Sequence, residues 1–352
     1  MTAIAQPQTP IQTQPRIQTL IQAQPIGILG TGSYLPDRIV SNTEIAGPAG
    51  VDADWIERKT GIRTRRRAAP GQATSDLAAE AARRALAAAG ADARDVTAIV
   101  VATSTPDQPQ PATASFVQDL IGAEHAAAVD VNAVCSGFVY ALAMAGGLLR
   151  SSVTGGAGGL ALVIGADVYS RILDYQDRKT AILFGDGAGA VVLGPVSSGR
   201  GLYAERLRGF GSEHGLIGVA AGGSRRPASA GTLSEGGHYF RMDGRGVRDF
   251  VAAQVPKLVH GLLDEARLRP EELHHLVPHQ ANGVMLRELA DRLELPDTRM
   301  HLNVEHYGNT GAASIPIALD EAWRGQGVAP GESVLLAGFG GGMNCGLALL
   351  ER

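Results

Sequence analysis

Hydrophobic and polar positions change period along this chain in an order that repeats. Short aliphatic runs at residues 26–30, 98–102, 127–132, 160–164 and 189–193 predict strands. Residues 75–89 and 137–150 carry apolar positions at helical spacing. The second segment is apolar on nearly every side, which predicts a helix buried all round. After residue 245 a related order returns: a long helix from Val247, a strand at 276–277, a helix at 284–293, a loop around Asn309, a helix at 312–323 and a strand at 333–337. Strands alternating with helices predict an α/β protein.

The two halves can be laid over each other. Residues 99–104 match 276–279, residues 132–137 match 306–311 with a helix after each, and residues 160–165 match 334–338. Cys135 and Asn309 then occupy equivalent strand-to-helix turns related by a pseudo-twofold, which brings both toward one central site. The expected organisation is a disordered Gln/Pro-rich leader at 1–25 and an N-terminal half at 26–195 carrying Cys135. A loop-rich insertion at 196–245 over the site follows, then a C-terminal half at 246–352 carrying His279 and Asn309.

Composition narrows the function classes. A hydrophobic share of 45% with 19% charge is that of a globular protein, and a net charge of −4 gives no reason to expect nucleic-acid binding. Cys135 and Cys345 are the only cysteines, so no disulfide framework is implied and a reducing, cytoplasmic setting fits. The leader lacks the basic and continuous apolar regions of a signal peptide, and no uninterrupted apolar run of about 18 residues predicts a membrane span.

Candidate chemistry starts at Cys135, where a strand runs into an apolar helix; a helix N-terminus favours a thiolate. Alone, each residue has a plainer reading: an inert buried cysteine, a core histidine at 279, a helix-capping asparagine at 309. The glycine run at 338–342 (GFGGG) is not followed by Gly-Lys-Ser/Thr, so it is not a P-loop. Gly30-Thr-Gly32 lacks the third glycine and the following helix of a dinucleotide site, and the Gly185-Asp186-Gly187 turn reads as structural. A nucleophilic thiol with backbone N–H groups near it reads as covalent acyl transfer.

Residues 130–142 (DVNAVCSGFVYAL), 184–193 (FGDGAGAVVL), 277–282 (VPHQAN), 308–319 (GNTGAASIPIAL) and 338–342, in this order and spacing, resemble the β-ketoacyl-ACP synthase III family of the thiolase superfamily. The resemblance implies a five-layered α-β-α-β-α fold of two duplicated halves and a homodimer. It implies that acyl-CoA loads onto Cys135 and then condenses with malonyl-ACP as CO₂ leaves, with no bound cofactor or metal. His279 and Asn309 match the donors to the malonyl thioester oxygen, and the N–H groups of Cys135 and Gly341 match the oxyanion hole. Trp55 and Arg178 match the residues that sandwich the CoA adenine. Gly244 and Asn282 match the pantetheine tunnel, and the cations from Arg58 to Arg67 match a rim for phosphates or carrier protein.

Departures cluster around the substrate. Lys59 replaces a common arginine near CoA, Arg248 a tunnel-mouth phenylalanine, and Gln110 an apolar residue that reaches the partner's acyl pocket. Asn344-Cys345 replaces Thr-Trp. These differences point to a specialised starter unit, short or polar, as in polyketide-priming relatives. A degradative thiolase needs its second cysteine before the glycine run, whereas Cys345 follows it. An acyltransferase working without decarboxylation is the main rival and a non-catalytic partner subunit the third reading; the intact Cys-His-Asn set counts against both.

Overall fold

The computed structural model describes residues 25–151, 159–325 and 327–352, so the leader at 1–25 lies outside the described residues apart from Pro25. Ten strands form two five-stranded sheets with one shared plan. In the first sheet the order is Ile26–Tyr34, Asp186–Pro195, Leu160–Val168, Val96–Ala102, Ala127–Val131. In the second it is Gly201–Gly209, Asn344–Glu351, Ser333–Gly340, His275–Pro278, Arg299–Met300. In both, the first two junctions are antiparallel and the last two parallel. Every strand therefore has a counterpart in the other half, as the overlay of sequences predicts.

That equivalence moves one boundary. Residues 196–245 read as loops, yet Gly201–Gly209 is the first strand of the second sheet, so the second half begins near 201 rather than 246. The strand (GLYAERLRG) escapes a hydrophobic reading because it is an edge strand carrying Glu205, Arg206 and Arg208. Its polar side chains still serve the fold: Arg206 reaches the helix Gly244–Ala266 and donates to the carbonyls of Leu258 and Gly261.

Helices complete five layers. Thr74–Ala89 and Thr113–Ile121 cover the outer face of the first sheet, and Gly244–Ala266 and Gly283–Leu293 that of the second. Gly137–Ser151 and Ser314–Arg324 lie between the sheets. This central position explains the all-round apolarity of the first of these two helices. Phe138, Val139, Leu142 and Ala145 are fully buried, and truncating a buried side chain as large as Phe138 or Leu142 costs about 2–5 kcal/mol. Val134–Ser151 is long and apolar enough to cross a membrane by length and composition; here 56% of it is buried between the sheets, and Met144 is 48% exposed, so the expectation of a helix buried all round fails on that side.

Candidate active site

The two central helices start at facing turns, and each turn carries a candidate catalytic residue. Ala127–Val131 ends at Asn132, whose Oδ1 accepts the Val134 N–H at 3.2 Å. A 3-10 turn, Val134–Ser136, then leads into Gly137–Ser151. Val134 has φ +48°, a conformation costly for a β-branched residue, by about 1–3 kcal/mol. The strained residue directly precedes Cys135. The glycine run makes the close approach possible: a Cβ on Gly340 would lie 2.7 Å from the Cys135 nitrogen and 2.9 Å from its Cβ.

In the second half, the turn Gly311–Ala313 leads into Ser314–Arg324, and Asn309 stands just before it. The Asn309 N–H donates to Leu183 at 2.8 Å, and its Oδ1 accepts the Gly311 N–H at 2.9 Å. With Oδ1 so engaged, the side-chain NH₂ has no partner among the described residues and is free for the cavity that Asn309 lines. Gly311 has φ +59°, and a Cβ there would strike the Asp167 carboxylate at 2.2 Å.

His279 follows the strand His275–Pro278 and is anchored by its N–H to the Ala337 carbonyl at 2.8 Å. Its Nδ1 lies 2.7 Å from the Ser314 hydroxyl, and its ring meets Phe339 edge-on at 5.3 Å. Burial pushes the imidazole down to about 3, so it is neutral at pH 7. With the Ser314 hydroxyl donating to Nδ1, the ring proton is assigned to Nε2.

Cys135 is 5% exposed, and burial followed by the nearby Asp167 carboxylate pushes its thiol up. The helix-favoured thiolate expected from the sequence is thus opposed, and the resting group is a thiol. Asp167 is fully buried and accepts hydrogen bonds from Thr103, Ser104, Thr105 and the Ala312 N–H. Through them it ties the first half to the turn after Asn309.

Cys135, His279 and Asn309 line one cavity of about 1250 Å³. Trp55, Lys59, Arg178, Gly244, Arg248 and Asn282 line the same cavity, and the Arg178 guanidinium lies 6.0 Å from the Trp55 ring centre. Gly340 borders it, whereas the space beside Gly341 is taken by Val134 and Ile217. Arg248 is held by Glu288 through two hydrogen bonds of 2.8 and 2.6 Å. Gln110 is exposed and lies outside the cavity of its own chain.

The basic run from Arg58 to Arg67 does not form the expected rim. Of its six cations only Lys59 lines the cavity. Arg63 pairs with Glu57 and Glu305, Arg65 is buried against Asn42 and the Ile182 carbonyl, and Arg66 and Arg67 lie over Tyr307 and Tyr175. The Asp186 turn is structural, accepting from Ala68 and Ser170. Sequence reasoning missed the wall from His214 to Val219 and the aromatic pair Phe184 and Phe240. The former lies inside the insertion already expected over the site; no periodic signal marks its residues.

A buried thiol, a neutral imidazole and an aimed carboxamide, set at the junction of two repeated halves, define a condensing enzyme of the thiolase type. The sequence matches the family models for 3-oxoacyl-[acyl-carrier-protein] synthase III over residues 129–209 and for its C-terminal part over residues 263–352. Acetoacetyl CoA synthase NphT7 of Streptomyces sp. (strain CL190) is 58% identical over 92% of this chain and 98% of its own length. The β-ketoacyl-ACP synthase III of Clostridioides difficile is 42% identical over 92% and 98%. Among solved structures, 3-oxoacyl-ACP synthase III of Aquifex aeolicus superimposes with a TM-score of 0.84 at 35% identity, covering 93% of this chain and all of that one. The priming β-ketosynthase of the R1128 polyketide pathway gives 0.84 at 32% identity, covering 94% and 97%. The chain belongs to the 3-oxoacyl-[acyl-carrier-protein] synthase III family, with the thiolase-like fold.

Proposed function

We propose that this enzyme transfers a short acyl group from CoA to Cys135 and joins it to a malonyl thioester as CO₂ leaves. The observation that carries this reading is the convergence of Cys135, His279 and Asn309 on one cavity whose mouth holds the Trp55–Arg178 pair. In the first half-reaction the thiol loses its proton and attacks the acyl thioester, and CoA leaves as its thiol. The N–H groups of Cys135 and Gly341 are the donors proposed for the oxyanion. In the second, C–C cleavage of the malonyl group releases CO₂ and places charge on the thioester oxygen. His279 Nε2–H and the Asn309 NH₂ receive it; neutral, pre-aimed donors suit a charge that appears only during reaction. The resulting carbanion attacks the acyl-cysteine and frees the thiol. No bound cofactor or metal takes part.

The acceptor has a second reading with specific support. The family expectation is malonyl-ACP, but the relative at 58% identity is named for a CoA-bound product. At this mouth, Arg241 is held by Asp174 and Asp177, and Arg248 by Glu288. Lys59, Arg178, Lys179 and Arg245 keep no carboxylate partner among the described residues, a set that suits the phosphates of one CoA. The same set serves the acyl-CoA donor, so the preference for malonyl-CoA over malonyl-ACP rests on the name of that relative. Phe184 and Phe240 line the cavity and pack with Tyr169, which stacks on Phe184 and meets Phe240 edge-on, with ring centres 4.5–5.4 Å apart; this supports a short acyl group. A homodimer is proposed from the open edge strand Ala127–Val131, where Val129 is 47% exposed; pairing there places Gln110 near the partner. The free cysteines and CoA substrates fit the cytoplasm.

Incubation with acetyl-CoA and either malonyl-CoA or malonyl-ACP, with CO₂ and 3-oxoacyl product measured together, tests this proposal. Stoichiometric CO₂ and acetoacetyl-CoA support it. Product on ACP alone returns the acceptor to the carrier protein, and acyl transfer without CO₂ release selects the non-decarboxylating acyltransferase.

A further inference from the structure

Next to His279 stands a side chain that the chemistry above does not use. Gln280 is fully buried and its amide makes four hydrogen bonds. Oε1 accepts the N–H groups of Asn303 (2.9 Å) and Val304 (3.2 Å), at the start of the short helix Val304–Tyr307. Nε2 donates to the carbonyls of Pro278 (2.8 Å) and His301 (3.2 Å). One amide therefore grips the backbone on both sides of a gap: the strand end that carries His279, and the segment running through Tyr307 and Gly308 into Asn309. The Asn303 side chain offers that helix no cap, so Gln280 supplies the acceptor from another element.

We infer that Gln280 is a positioning residue that sets the separation of the two donors to the malonyl thioester oxygen. This rests on the proposed roles of His279 and Asn309. Both must reach one oxygen at hydrogen-bond distance, and each is held to its neighbours by only a few bonds. A glutamine is the residue the site needs, because it must donate to Pro278 at the strand end while both donating to His301 and accepting from Asn303 and Val304 in the facing segment, which only a carboxamide does. Cys135 lies in the other half of the fold, on a turn that Gln280 does not touch. The effect is therefore confined to the malonyl half-reaction.

The test compares two rates in wild type, Gln280→Leu, Gln280→Glu, Asn309→Ala and the core control Leu289→Ala. One is acetyl loading of Cys135 from acetyl-CoA by intact mass; the other is CO₂ release from malonyl-CoA and from malonyl-ACP. Displacements near 1 Å cost up to about 10²-fold, so Gln280→Leu is expected to lose about 10–100-fold in CO₂ release with loading within about twofold. The control should not separate the two rates. Gln280→Glu keeps the acceptor but replaces the donor with a carboxylate oxygen that faces the Pro278 and His301 carbonyls. CO₂ release should fall at pH 8 and recover as the introduced carboxyl takes up a proton at lower pH, a signature that packing alone does not produce; if Gln280→Leu fails to fold, this variant decides. Unchanged CO₂ release, or parallel loss of both rates as in the control, overturns the inference. Loss in Asn309→Ala with none in Gln280→Leu overturns it alone, whereas full CO₂ release in Asn309→Ala overturns the donor assignment as well.

Discussion

Gly340→Ala puts the geometry around the nucleophile to a direct test. The added methyl would stand 2.7 Å from the Cys135 nitrogen, 2.9 Å from its Cβ and 3.1 Å from its Cα. Carbon contacts settle at about 3.5 Å or more, so the turn and the strand must part by ~0.7 Å. All three obstructing atoms belong to the nucleophile turn, which Val134 already holds in a strained conformation. Crowding of this kind costs about 1–3 kcal/mol of stability. The larger effect falls on chemistry, since the thiol and the adjoining backbone N–H move together away from their target. A shift of this size corresponds to roughly 10–100-fold in acylation rate, or about 1.4–2.7 kcal/mol of barrier. Rapid-quench intact mass with acetyl-CoA reads the acylation step, and malonyl-CoA decarboxylation serves as the internal comparison. Acylation within twofold of wild type would refute the idea that this contact sets the thiol. Equal loss in both half-reactions would assign the damage to the strand Ser333–Gly340, which also anchors His279.

Other substitutions test separate parts of the site. Cys135→Ala should abolish the single acyl adduct, and an adduct on Cys345, which burial pushes up to about 12, would contradict the assignment. Asp167→Asn removes a charge that raises the Cys135 thiol, so the pH midpoint of iodoacetamide labelling should fall; an unchanged or higher midpoint would count against that coupling. The His279 value is depressed to about 3, so between about 6.5 and 3 the unfolded chain binds a proton that the folded one does not. Its contribution to stability is intact above about 6.5 and declines as pH falls, by up to about 1.4 kcal/mol per pH unit. Denaturant midpoints of wild type and His279→Gln across this range should converge toward acid.

Much of the site was legible because the fold repeats itself. Cys135 and Asn309 precede equivalent helices, and a duplicated strand-turn-helix pattern survives in sequence even where the residues differ. The strand Gly201–Gly209 was not legible because an edge strand with exposed charges shows little hydrophobic alternation. The basic run misled for a related reason. Thr64–Arg67 is itself a strand, so consecutive arginines point to opposite faces: Arg65 and Arg67 share the face toward Tyr175, with Arg65 buried, while Arg66 turns the other way over Tyr307. Arg248 lines the cavity, but its partner, Glu288, lies 40 positions away, and no local pattern links them. Ser314, which orients His279, stood within the quoted motif without any sign that its hydroxyl would meet an imidazole from another strand.

The placement of the two tryptophans has an optical consequence. Trp55 sits at the cavity mouth beside Arg178, while Trp323 packs under Arg352, 4.8 Å from that guanidinium and outside the cavity lining. Fluorescence from the protein thus divides into a contribution from the mouth and a steady background. If the proposed CoA places its adenine against Trp55, binding should quench the first and leave the second untouched. Substrate arrival can then be timed apart from bond formation in an unlabelled enzyme, with Trp55→Phe as the silent reference.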